Sequence, residues 1–152
     1  MKLPSLLLLL LARITFAADA PIPAEVRAQM IASFEKTRTE ATEALAKEPK
    51  STELLTRRGD ALLFLGDAKG AVADFEKEIA LAPSHDAPHW RLGIAYLFAG
   101  EFAKSAKQFE KYHAYDDRDR ENGVWQFLGN ARGGPGYMSQ VARLHYEAAV
   151  GK

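Results

Sequence analysis

His85 and His89 stand four residues apart, the spacing that would put two metal ligands on one turn of a helix. Pro88 lies between them, no glutamate completes a His-Glu-x-x-His order, and no third ligand is evident. A spaced pair specifies little, so capping and packing explain these histidines better than a metal does. The run Asp116-Asp117-Arg118-Asp119-Arg120-Glu121 has the acid density of a calcium loop. Such a loop needs glycine at its sixth position and an acid at its twelfth. Counted from Asp117, those positions hold Asn122 and Leu128. The run therefore reads as a solvated loop between repeats, with ion pairs each worth little. Gly129 to Gly136 is glycine-rich, yet it lacks Lys-Ser or Lys-Thr and no strand precedes it, so it is no phosphate loop. Ser139 and His145 have no nucleophile elbow around them. Glu76 and Glu78 face different sides of a helix and cannot act as a carboxylate pair. The residue types thus predict no catalytic group, no metal site and no cofactor.

The composition points the same way. The chain has 152 residues, 47% hydrophobic and 26% charged, which suits one small globular domain. Twenty Lys and Arg balance twenty Asp and Glu. Neutralising nucleic-acid phosphates needs a basic surplus, so no nucleic-acid partner is expected, nor a polybasic membrane-surface module. With no cysteine, a disulfide scaffold, a thiol nucleophile and a Cys-based zinc site are excluded.

The first residues read as an address. Lys2 precedes an apolar run, Leu6 to Ala12, too short to span a bilayer. Thr15-Phe16-Ala17 supplies the small side chains a signal peptidase accommodates. Residues 1–17 are expected to be a signal peptide cut after Ala17, giving an exported protein, periplasmic or secreted. Arg13 weakens the signal, and no cysteine follows the run to carry a lipid anchor. Loss of Lys2 and Arg13 leaves a slightly acidic mature chain, with no stable membrane insertion expected.

The elements that must position any functional residue come from a repeat. Gly59 and Gly93 are 34 residues apart, as are Gly66 and Gly100, and Phe75-Glu76-Lys77 and Phe109-Glu110-Lys111. Ten of 34 positions are identical between 51–84 and 85–118. Leu54, Leu55, Arg58, Ala61, Leu62 and Leu65 follow helical spacing up to Gly66, which can end a helix in the left-handed conformation. Asp67 can cap the next helix, whose stripe is Ala68, Ala71, Val72, Phe75, Ile79 and Leu81, with Glu76, Lys77 and Glu78 mostly facing solvent. Pro83 stops it. The next unit starts at about Asp86, a plausible cap, breaks at Gly100, and continues through Phe102, Ala106, Phe109 and Tyr112. No segment alternates with the period of a strand, so the chain is all-α.

This pattern resembles the tetratricopeptide repeat, with its Trp-x2-Leu-Gly-x2-Tyr, Ala, Phe, Ala, Pro signature. Gly59, Leu62, Gly66, Ala71, Phe75 and Pro83 sit at signature positions of the first unit, with Glu78 departing where a small residue is usual. Leu92, Gly93, Tyr96, Gly100 and Phe109 match in the second, where Ser105 and Tyr112 stand at the alanine positions and His89 takes the Trp slot, one before Trp90. Trp125-Gln126-Phe127-Leu128-Gly129 repeats the motif two residues out of phase, with Arg132 in the Tyr place. The resemblance covers roughly 50–132 and implies a short right-handed α-solenoid. The expected organisation is an N-terminal helix or degenerate repeat over 18–48, repeats at 49–84 and 85–119, and a partial third repeat with a capping helix over 120–152. The segment 24–47 is either one amphipathic helix, with Val26, Met30, Phe34, Ala41 and Leu45 inward, or includes the second helix of the degenerate unit. Ser139 would cap a last helix over 140–150.

The resemblance also implies where a partner binds. In this family the first helices of each unit line a concave groove that holds a peptide or partner helix. The positions carried over are Thr56, Asp60, Leu63 and Phe64, then Trp90, Ile94, Leu97 and Phe98, then Gln126 and Asn130. Asp60 and Ile94 occupy places where an asparagine would clamp a terminal carboxylate, so that clamp is absent. The expected function is a non-catalytic adaptor that binds a protein or peptide in the cell envelope. The alternatives are an accessory or regulatory subunit of an envelope enzyme complex, or a self-associating structural repeat protein.

Overall fold

A computed structural model describes residues 22–132. The expected signal segment 1–17 and the expected last helix 140–150 with its Ser139 cap lie outside the described residues. The architecture is all-α: α1 (Ala24–Lys47), α2 (Thr52–Phe64), α3 (Ala68–Leu81), a 3-10 turn (Pro83–His85), α4 (Trp90–Phe98), α5 (Phe102–Tyr115) and α6 (Glu121–Arg132). Each helix packs on the next in the chain, and α4 also packs on α6. The result is a short α-solenoid.

Turn chemistry sets the helix ends. Gly66 and Gly100 hold φ of +88° and +81°, the left-handed conformation that closes α2 and α4. Asp67 accepts from the Gly70 backbone N–H at 2.9 Å and starts α3. Asp86 does not cap α4. Its carboxylate takes Lys111 Nζ at 2.7 Å and its carbonyl accepts from Gln108, while His89 caps the helix instead.

Close approach sets the packing. A Cβ on Gly59 would stand 2.5 Å from the Phe75 ring, and one on Gly93 2.6 Å from Phe109. The two phenylalanines are the largest fully buried side chains among the described residues, so each of these two units is built as a ring driven into a gap where glycine leaves room. Ala71, Val72, Phe75, Leu92, Ala95 and Tyr96 form the core across the α3–α4 junction. Arg58, on the apolar stripe of α2, is satisfied by two bonds to Asp74 at 2.7 and 2.6 Å, so Asp74 is buried as half of an ion pair.

Residues 24–47 form one helix of 24 residues, about 36 Å long, whereas α2 has 13 residues, about 20 Å. The length difference corrects the expected inward face. Ala41 and Leu45 are buried against α2, and Phe34 stacks on Phe64 at 4.6 Å between centroids. Among the described residues, Val26 and Met30 have no helix opposite them and are both 43% exposed.

Candidate partner-binding groove

The two departures from the repeat signature meet each other, and together they position α4. Glu78 is not solvent-facing as expected from its charged neighbours; it is buried. Its carboxylate accepts from Thr56 Oγ1 at 2.6 Å and pairs with His85 Nδ1 at 2.8 Å and His89 Nε2 at 3.1 Å. His89 Nδ1 accepts the Leu92 backbone N–H at 3.1 Å, so its proton sits on Nε2, facing Glu78. The imidazole packs on the Phe75 ring at 4.7 Å, filling the place of the usual indole. Burial works against ionisation of Glu78, yet the bonds from Thr56, His85 and His89 outweigh it and hold the carboxyl below the ordinary range. His85 and His89 are thereby a carboxylate partner and a helix cap. Thr56 belongs to this seam and not to the groove wall.

With the start of α4 fixed, Trp90, Ile94 and Phe98 follow at four-residue intervals and line one cavity of about 570 Å³. Asp60, Leu63 and Phe64 of α2 form the opposite wall. The structure therefore brings together six of the ten carried-over positions. Phe64 and Phe98 are each 67% exposed and Trp90 is 39% exposed, an unusual outlay of large apolar surface on one face. Arg91, the turn residue Gly66 and Ala68 at the start of α3 complete the lining and were missed by the sequence reading. The Arg91 guanidinium lies 4.5 Å from the Trp90 ring centroid, and its Nε stands 3.2 Å from Asp60 Oδ1. This arrangement bridges α2 and α4 and fixes the indole at the wall. Burial pushes the Asp60 carboxyl up from its ordinary range, against the opposing charge of Arg91. Asp60 Oδ1 is buried without an aligned hydrogen-bond donor.

A second cavity of about 300 Å³ opens on the far side of Phe98, lined by Leu97, Phe98, Gly100, Phe102, Trp125, Leu128 and Arg132. Asn130 is buried and Gln126 lines neither cavity. Among the described residues, Gly129 meets the α5 backbone and not a ring. A Cβ there would stand 2.9 Å from the Ala106 backbone nitrogen of α5. A strict 34-residue offset finds the right residues: Arg91, Ile94 and Phe98 map onto Trp125, Leu128 and Arg132. Leu97, expected beside the first cavity, lies in the second and is mostly buried.

No protein-family model matches the chain. Over 95 residues, 62% of the chain, it is 26% identical to the lipoprotein NlpI homolog of Haemophilus influenzae, covering 30% of that protein. Over 83 residues, 55% of the chain, it is 34% identical to the Hsp70-Hsp90 organizing protein of Triticum aestivum, covering 14% of it. The chain thus spans less than a third of these curated relatives. Set beside a 34-residue repeat whose glycines seat the phenylalanines of the same unit, these matches make the chain similar to tetratricopeptide-repeat proteins.

Proposed function

We propose that the protein is a non-catalytic adaptor of the cell envelope that holds an apolar segment of a partner protein across α4. The observation that carries this reading is the stripe Trp90, Ile94 and Phe98, facing Phe64 around a 570 Å³ cavity. An apolar centre supplies desolvation energy, and the Asp60–Arg91 pair at its wall supplies polar groups that fix register. One relative's name, Hsp70-Hsp90 organizing protein, speaks for binding other proteins, and the other's, a lipoprotein, for the envelope. No helix among the described residues is long and apolar enough to cross a membrane.

The test pairs two measurements on Ile94→Ser. Ile94 is half-buried. Retention of the wild-type melting temperature with loss of the partner supports the groove. Early melting, with residual folded protein binding at wild-type affinity, means the stripe is core and the reading fails. Trp90→Ala should weaken partner binding by about 2 kcal/mol or more, as a central anchor would. For the location, N-terminal sequencing of the native protein should begin at Ala18; a protein still carrying Met1 or Lys2 would contradict export with cleavage.

A further inference from the structure

The two cavities are translated copies of one another, and this deepens the groove reading on which it rests. Leu63, Phe64, Gly66 and Ala68 on one side of the first cavity become Leu97, Phe98, Gly100 and Phe102 in the second, each 34 residues on. Ile94 and Phe98 on the other side become Leu128 and Arg132. Phe98 belongs to both linings and stands, largely exposed, as the septum between them. A ligand crossing α4 therefore meets two apolar recesses separated by the width of one helix with its side chains, about 10 Å.

The charges of the two recesses differ. The first holds both Asp60 and Arg91, which offset each other. Among the described residues, the second is lined by Arg132 and by no acid. The substitution behind this difference is the replacement of a phenylalanine by an arginine at the repeat-equivalent position, which changes an apolar wall into a cationic one. A ligand complementary to both recesses is apolar at the first and apolar with an adjacent negative charge at the second.

We propose that the groove takes an extended partner segment with two large apolar side chains three residues apart, the second followed by an aspartate or glutamate that pairs with Arg132. The spacing follows from geometry. Extended chain of the polyproline type rises about 3.1 Å per residue and returns to the same face every third residue, so anchors at i and i+3 lie about 9 Å apart on one side. A flat strand puts i and i+3 on opposite faces, and its same-face neighbours at i and i+2 are only about 7 Å apart.

The chain's two tryptophans make the test direct, because Trp90 lines the first cavity and Trp125 the second. The probes are synthetic nonapeptides with leucines at i and i+3 and Asp at i+4, a version with Lys at i+4, and a version with the leucines at i and i+2. Binding is followed by fluorescence of Trp125 in Trp90→Phe and of Trp90 in Trp125→Phe. The Asp peptide should change both signals and bind about fivefold or more tighter than the Lys peptide at low salt. Arg132→Glu should invert that preference, and the i, i+2 peptide should disturb only one tryptophan. Leucine peptides that bind regardless of charge, with no change in Arg132→Glu, overturn this inference and leave the groove reading standing. Failure of every peptide to bind at millimolar concentration overturns both.

Discussion

Replacing Gly93 with alanine probes one of the two close glycine–phenylalanine approaches between helices. A Cβ at residue 93 would stand 2.6 Å from Phe109 Cε2 and 2.8 Å from its Cζ. Ordinary carbon contacts lie at about 3.5–4.0 Å, so ring or helix must retreat by about 1 Å. Neither retreats freely. Phe109 is fully buried, and Trp125 stacks beyond it at 6.3 Å between centroids. Ser105 Oγ donates to the Gly93 carbonyl at 2.8 Å, tying the α4 backbone to α5. Alanine gains about 1 kcal/mol over glycine in a helix interior. Overpacking costs about 1–3 kcal/mol, and a clash this short belongs in the upper part of that range, leaving a net loss of about 1–2 kcal/mol. Urea unfolding followed by helical circular dichroism should show a lower midpoint with an unchanged slope. Phe109→Leu makes room, so the double variant should be more stable than the sum of the single losses by about 1 kcal/mol. An undiminished midpoint for Gly93→Ala, with no coupling to Phe109, would refute the packing argument.

Other perturbations separate backbone, charge and pH effects. Gly66→Ala meets no atom within 4 Å but keeps φ at +88°, so it should lose about 1 kcal/mol from the left-handed backbone alone and show no coupling to Phe75. Arg58→Met strands the buried Asp74 carboxylate and should cost about 3 kcal/mol in the same unfolding assay, much of it recovered by adding Asp74→Leu. Glu78 has a folded value below the ordinary glutamate 4.5, so its stabilisation is complete above that value and is lost as the pH falls through the lower folded value. Glu78→Gln should flatten this acid limb of a stability–pH curve. Asp60 shifts the opposite way, so its stabilisation is present below the ordinary aspartate 3.8 and is lost as the pH rises through the folded value. Asp60→Asn should therefore raise the melting temperature at neutral pH.

The parts of the fold legible in the sequence are those decided by a residue's own geometry. Gly66 and Gly100 announce the left-handed turns, and the 34-residue spacing of Gly59 and Gly93 announces the rings they seat. The stripe Trp90, Ile94 and Phe98 is legible because four-residue spacing puts it on one face and α4 is short enough to leave no ambiguity. What was not legible depends on what stands opposite. Glu78 lies between Lys77 and Ile79 and looks solvated, but its partners are 22, 11 and 7 residues away. Val26 and Met30 continue an inward stripe whose partner helix has already ended. The orientation of α6 follows from Gly129 settling on the α5 backbone, a contact the local motif does not encode.

The central claim is that the exposed face of α4 is a binding surface, and Phe98→Asp tests it most directly. Phe98 is 67% exposed, so the substitution should leave the melting temperature at the wild-type value while placing a charge between the two cavities. Wild-type protein and variant, immobilised in equal amounts, are exposed to the same envelope extract, and retained proteins are compared by quantitative mass spectrometry. The account predicts at least one protein retained by the wild type and lost from an equally folded Phe98→Asp. Identical retained sets from two equally stable proteins would contradict it.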